Sequence, residues 1–148
     1  MAPPALSPAV AGAAPVRIRK RVLIVEDNPL NMKLFSAMVA AQGYDVLQAG
    51  NGSQGLELAQ RQHPDLIIMD IQLPGMTGLE VTKNLKADEA TRDIPILATT
   101  AYALRGDEEK IMASGCDAYM AKPIAISQFL ELIETFMMKV PDICDFAP

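Results

Sequence analysis

Short apolar runs recur along this chain, each followed by a stretch with helical spacing. Val22-Leu23-Ile24-Val25 and Leu66-Ile67-Ile68-Met69 are unbroken, with no polar residue alternating into them. Strands of that kind must be buried on both faces, which is the environment of a parallel sheet covered by helices. Strands are expected at Val22–Val25, Tyr44–Ala49, Leu66–Met69, Ile94–Thr99 and Ala118–Ala121. Helices are expected from Pro29 to Gly43, at Ser53–Gln62, Leu79–Lys86 and Asp107–Ser114, and around Ile126–Met137. Five βα units in that order imply an α/β fold, doubly wound around a parallel sheet. Periodicity alone does not order the strands.

Local signals support these boundaries. Asn28 caps free N–H groups and Pro29 suits a first helical turn. Leu30, Leu34, Ala37, Met38 and Ala41 are the expected buried stripe of that helix, and Gly43 its stop. In the last helix, Ile126, Phe129, Leu130, Ile133 and Met137 mark one face. Pro64 and Gly115 punctuate two further helix ends.

The length of 148 residues suits one domain with a substantial core. A net charge of −5 argues against a nucleic-acid surface. No apolar run reaches the ~18 residues of a membrane span. Residues 1–18 read as a flexible Ala/Pro-rich tail, 19–139 as the folded domain, and 140–148 as a short C-terminal tail. Pro8 and Pro15 interrupt the apolar part of the N-terminal tail, and its basic residues come last, so a tail is expected there rather than a signal peptide. Arg17 to Arg21 read as a solvated edge. Cys116 and Cys144 lack metal-ligand spacing and read as reduced thiols. The chain is expected to stand alone and to be cytoplasmic.

The chemistry gathers at strand ends. Glu26-Asp27, Asp70, Thr99-Thr100 and Lys122-Pro123 each close a different strand. Doubly wound sheets place their sites on that side. Each feature alone is ordinary, as turn chemistry, a helix-start acid or a solvent-facing lysine. Together they make a phosphoryl-binding set. Clustered carboxylates repel one another, and a divalent cation such as Mg²⁺ relieves that repulsion. An ammonium and a hydroxyl complete the charge and the donors. A carboxylate within that set can become an aspartyl phosphate.

Four segments carry a resemblance. They are Leu23–Asn28, His63–Gly78, Pro95–Ala101 and Gly115–Pro123. In order and spacing they resemble the receiver domain of bacterial two-component response regulators, over about Arg21 to Met138. Within that family the chain is similar to the stand-alone DivK type of cell-cycle regulator. The resemblance implies a flavodoxin/CheY-like fold with strand order 2-1-3-4-5. It implies that Asp70 accepts a phosphoryl group from a sensor histidine kinase or a histidine phosphotransfer protein. Asp27, Asp70 and the backbone carbonyl of Gln72 would ligate Mg²⁺, with Glu26 acting through water and Mn²⁺ able to substitute. Thr100 would hydrogen-bond the phosphoryl group and Lys122 would pair with it. A cis Lys122-Pro123 peptide is expected to orient that lysine. Tyr119 would be the aromatic switch, with Ala101 leaving room for its ring. Output would pass to a downstream protein through the face made by the fourth helix, fifth strand and fifth helix. No nucleic acid, no membrane and a monomer or weak homodimer are expected, and no multiple-turnover enzyme. Gln72 and Tyr102 are placed to influence attack by water.

Other readings compete. Gly50-Asn51-Gly52-Ser53-Gln54-Gly55 matches the dinucleotide-binding pattern G-x-G-x-x-G. That reading leaves Glu26-Asp27, Thr100 and Lys122-Pro123 unexplained. A tight Asn51-Gly52 turn accounts for the residues more simply. A phosphohydrolase of the haloacid-dehalogenase type would need a second acid two places after Asp70, where Gln72 stands. A receiver-fold binding module acting without phosphorylation, or a phosphorelay intermediate, remains the alternative. His63 reads as a loop residue, and Phe136-Met137-Met138 as core and helix end.

Overall fold

The structure, a computed structural model, describes residues 19–101 and 107–139. The expected tails, Cys144 and Tyr102 lie outside the described residues. Strands β1 (Arg21–Val25), β2 (Asp45–Ala49), β3 (Leu66–Asp70), β4 (Ile96–Thr100) and β5 (Ala118–Ala121) alternate with five helices. These are α1 (Pro29–Ala41), α2 (Gly52–Gln62), α3 (Gly78–Ala87), α4 (Asp107–Ala113) and α5 (Ile126–Lys139). All strand pairs are parallel, in the order β2-β1-β3-β4-β5. The expected fold and strand order are those observed. β3 runs one residue further than expected and includes Asp70, because Asp70 keeps register with Thr99 on β4.

The unbroken apolar strands serve two cores. On one face Leu23, Val25, Ile67, Met69, Ile96 and Ala98 meet α2, α3 and α4 through Ala59, Val81, Leu85 and Ile111. On the other face Val22, Ile24, Leu66, Ile68 and Leu97 meet α1 and α5. There Phe35 and Phe129 pack with ring centroids 5.3 Å apart, tilted by 39°. No described helix is long and apolar enough to cross a membrane.

Two expected faces need correction. Helix α1 buries Phe35 and Val39, not the Leu30–Leu34–Ala37–Ala41 stripe. Leu30 is 76% and Leu34 49% exposed, and Ala37 and Ala41 are exposed too, while Met38 is half-buried against the core. This helix is apolar on two sides, so periodicity offers two phases. Burial of the larger aromatic side chain, packed against Phe129, selects between them. In α5, Phe129, Ile133, Phe136 and Met137 are buried and Leu130 packs partly against them, but Ile126 and Met138 are exposed. Helical spacing gives a face, and only the sheet beneath determines how much of it is covered.

The described part of the basic run, Arg19 to Arg21, makes its contacts within the fold. Arg19 donates to the Gly43 carbonyl and faces Asp45. Lys20 Nζ reaches the Met137 carbonyl near the end of α5, and Arg21 donates to Gln62 on α2. Asn28 caps α1 as expected, accepting from the N–H groups of Leu30 and Asn31. Thr77 and Glu80 form a reciprocal capping box at the start of α3.

Gly78 is the tightest point near the strand ends. A Cβ there would strike the Asp70 carbonyl oxygen and the Ile71 Cα, both main-chain atoms that cannot swing aside. Gly78→Ala is therefore expected to destabilise the protein by roughly 2–4 kcal/mol through overpacking. Thr82 behaves oppositely, since its fully buried hydroxyl has no hydrogen-bond partner. Thr82→Val is expected to stabilise by about 1 kcal/mol. Urea unfolding of both variants checks the pair, and a neutral Gly78→Ala would contradict the packing argument.

Candidate functional site

Parallel strands end together, so four polar strand ends meet at one edge. β1 leads into Glu26, whose N–H donates to the Ala49 carbonyl at 3.0 Å and so extends the sheet. Glu26 is 2% exposed, as is Asp70 at the tip of β3, whereas Asp27 is exposed. Carboxylate oxygens of Glu26, Asp27 and Asp70 all lie within 4.8 Å of one another. Among the described residues this is the one group of three or more potential metal-ligating side chains. The donor set is oxygen throughout, which suits a hard divalent cation.

Lys122 comes from the residue after β5, where its N–H donates to the Thr100 carbonyl at 2.7 Å. Its Nζ stands 3.0 Å from Glu26 Oε1 and 3.4 Å from Asp70 Oδ2. One ammonium thus offsets part of the charge of two buried carboxylates. The Lys122-Pro123 peptide is cis. The Gln72 N–H donates to Asp70 Oδ1 at 3.0 Å, and the Asn28 N–H donates to Glu26 Oε2 at 3.2 Å.

Burial and the charge of Glu26 push the Asp70 carboxyl up from 3.8 to about 6, against the opposing pull of Lys122 and the Gln72 N–H. Asp70 is thus a buried carboxyl whose negative charge its surroundings disfavour. A cation or an added partner at this point would be welcomed by the site.

Thr100 is buried at the tip of β4, and its Oγ1 accepts from Gln72 Nε2 at 2.9 Å. The same carboxamide accepts from the Ala101 N–H through Oε1, also at 2.9 Å. This side-chain link was not expected from sequence. A glutamine two places after an acid carries no signal for a partner 28 positions away. Tyr119 lies on β5 beside the first core, and its hydroxyl bonds to the Glu108 carboxylate on α4, which raises its pKa. The structure therefore gathers Glu26, Asp27, Asp70, Lys122, Thr100 and Gln72, and holds Tyr119 out toward α4.

The glycine motif has another use. Asn51 is the N-cap of α2 in extended conformation, accepting from the Gln54 N–H, so the expected tight Asn51-Gly52 turn is not formed. Gly52 and Gly55 are there for close packing. A Cβ on Gly52 would come 2.8 Å from the Met76 carbonyl oxygen, and one on Gly55 2.7 Å from Val25. His63 ends α2 with φ of 47° and is not among the clustered potential ligands. Cys116 is buried before β5, and burial pushes its thiol up to about 11, which makes it unreactive.

Comparison with known proteins bears on the family and the fold. The profile of the family described as response regulator receiver domain matches residues 22–134. Proteins named polar-differentiation response regulator DivK from Brucella ovis and Brucella suis are each 53% identical over 118 residues, which is 80% of this chain and 96% of theirs. Among solved structures, the receiver domain of sensor histidine kinase PA1611 from Pseudomonas aeruginosa has 36% identity and a TM-score of 0.76, covering 81% of this chain and 98% of that one. That protein holds a magnesium ion in its active-site cleft. Chemotaxis protein CheY4 of Vibrio cholerae has 27% identity and a TM-score of 0.75, covering 80% of this chain and 98% of its own.

The raised Asp70 pKa makes a stability prediction. The folded state holds this proton more tightly than the unfolded chain, so the site is stabilised as pH falls from above 6 toward 4. That contribution is lost as pH rises through about 6. At pH 7.5 without metal, Asp70→Asn should therefore be more stable than the parent by roughly 1–3 kcal/mol, with the gap shrinking at pH 5. Chemical denaturation in EDTA at both pH values measures it. A variant no more stable than the parent at pH 7.5 would contradict the electrostatic account.

Proposed function

This chain belongs to the response regulator receiver family, and we propose that it works as a single-domain phosphoacceptor whose reactive atom is a carboxylate oxygen of Asp70. The observation that carries this reading is Asp70 itself: buried at a strand tip, pressed by Glu26, and within 3.4 Å of the Lys122 ammonium. An Asp70 oxygen would attack the phosphorus of a phosphohistidine on a sensor histidine kinase or histidine phosphotransfer protein. A P–O bond forms, the P–N bond breaks, and the imidazole nitrogen keeps the electron pair. Lys122 would hold the phosphoryl oxygens, and Thr100 would donate to one of them.

The acidic cluster fits a divalent cation on its own chemistry. Asp27, Asp70 and the Gln72 carbonyl would hold Mg²⁺ or Mn²⁺, with Glu26 through a water molecule. The ion would supply positive charge opposite the phosphoryl oxygens. Once formed, the phosphoryl group adds about −1.5 to −2 charges. It can shift the protein only through unequal interaction with two arrangements. Thr100 and Tyr119 would couple that charge to the surface of α4, β5 and α5, where Met112 and Ile126 are exposed. Output would be contact with another protein in the cytoplasm, or onward phosphotransfer, without nucleic acid and without multiple turnover. Its likeness to regulators of polar differentiation favours a role in cell-cycle or developmental control.

Incubation with acetyl phosphate and Mg²⁺ should label the chain with one phosphoryl group, which is then lost slowly. Asp70→Asn should abolish labelling, and Lys122→Ala should lower it at least about tenfold. Stoichiometric labelling of Asp70→Asn at the same site would refute the assignment. Partner affinity indifferent to beryllofluoride would point instead to a binding module.

A further inference from the structure

We propose that the Gln72 carboxamide is a latch that keeps the site in its resting arrangement, and that a phosphoryl group on Asp70 acts by displacing it. The inference rests on the phosphoacceptor reading. It starts from one side chain that bridges two loops. Gln72 leaves the end of β3 and crosses to the end of β4, where its Nε2 donates to Thr100 Oγ1 and its Oε1 accepts from the Ala101 N–H, each at 2.9 Å. The Ala101 N–H can only donate, so it must face the amide oxygen, which turns the NH₂ group toward Thr100. The orientation of the carboxamide is thus imposed by the main chain.

Position sets the two ends against each other. Thr100 uses its oxygen as an acceptor for Gln72; a hydroxyl can accept and donate at once, so the competition lies in where Thr100 stands and not in how many bonds it can make. A phosphoryl oxygen is acceptor only. To bind it, Thr100 must turn its hydroxyl proton toward Asp70, whose strand neighbours its own in register at Thr99. Moving Thr100 toward Asp70 also draws on Ala101, the next residue, which Gln72 holds at the same time. The two arrangements therefore place Thr100 and Ala101 differently, and a ligand that favours one must overcome the hydrogen bonds that hold these residues in the other. Gln72 is on this reading a positioning residue that sets how readily the switch turns, apart from any metal contact by its main-chain carbonyl.

The test uses the full chain with Gln72→Met, which keeps the bulk, and Gln72→Ala, which removes it. At saturating Mg²⁺, both variants should bind beryllofluoride about three- to tenfold more tightly than the parent, as expected from the loss of two modest hydrogen bonds that hold the resting state. Without beryllofluoride, the Ala101 amide proton should exchange about tenfold faster in both variants, read by NMR. A side chain that only braced the loop would leave beryllofluoride affinity unchanged or weaken it. Either result, or Ala101 exchange equal to the parent, would overturn the latch. Failure of the parent itself to bind beryllofluoride would count against the phosphoacceptor reading, and the exchange measurement would still decide the latch.

Discussion

The structure turns on a repulsion. Carboxylates of Glu26, Asp27 and Asp70 are held within 4.8 Å, and two of them are buried. No isolated peptide would keep them so close. The sheet does it because its strands are parallel and in register, so that their C-terminal tips must lie side by side. Lys122 relieves part of the strain by lying between Glu26 and Asp70. What remains raises the affinity of Asp70 for a proton and makes the cluster a fit for a cation.

Holding that cluster requires a rigid support. The apolar strands are buried on both faces by two separate cores, and the tips have little freedom to splay apart. Backbone closeness does the rest. Gly78 lets the start of α3 lie against the Asp70 carbonyl, and Gly55 lets α2 lie against Val25 just before Glu26. These glycines carry no side chain into the chemistry, yet they set the spacing on which it depends. Around the rigid cluster, Gln72 on Thr100 and Glu108 on Tyr119 are polar contacts of the kind that can exchange partners.

Much of this was legible in the chain. Uninterrupted apolar runs such as Leu66–Met69 read as doubly buried strands, and an acid at the end of such a run lies at the side of the sheet where the parallel strands end. Asn28-Pro29 is a helix start in any context. Other features had two self-consistent readings. Helix α1 carries apolar residues on two sides, and the Leu30–Leu34 phase was as regular as the Phe35–Val39 phase. The Gly50–Gly55 motif looked like a phosphate-binding loop or a turn, and is a capped helix start packed against its neighbours. Such ambiguities are local, and the partners that resolve them are distant in sequence.

The sequence by itself therefore determined the α/β class, the order of elements and the polar residues at the strand ends, Glu26-Asp27, Asp70, Thr99-Thr100 and Lys122, because strand burial and strand ends are written in short-range pattern. The resemblance to receivers supplied the strand order and the choice of Thr100 over Thr99. Tertiary structure alone decided which face of α1 is buried, that Lys122 bridges Glu26 and Asp70, and that Gln72 reaches Thr100 and Ala101. Those outcomes depend on distances between side chains carried by different strands, and no short-range pattern encodes them.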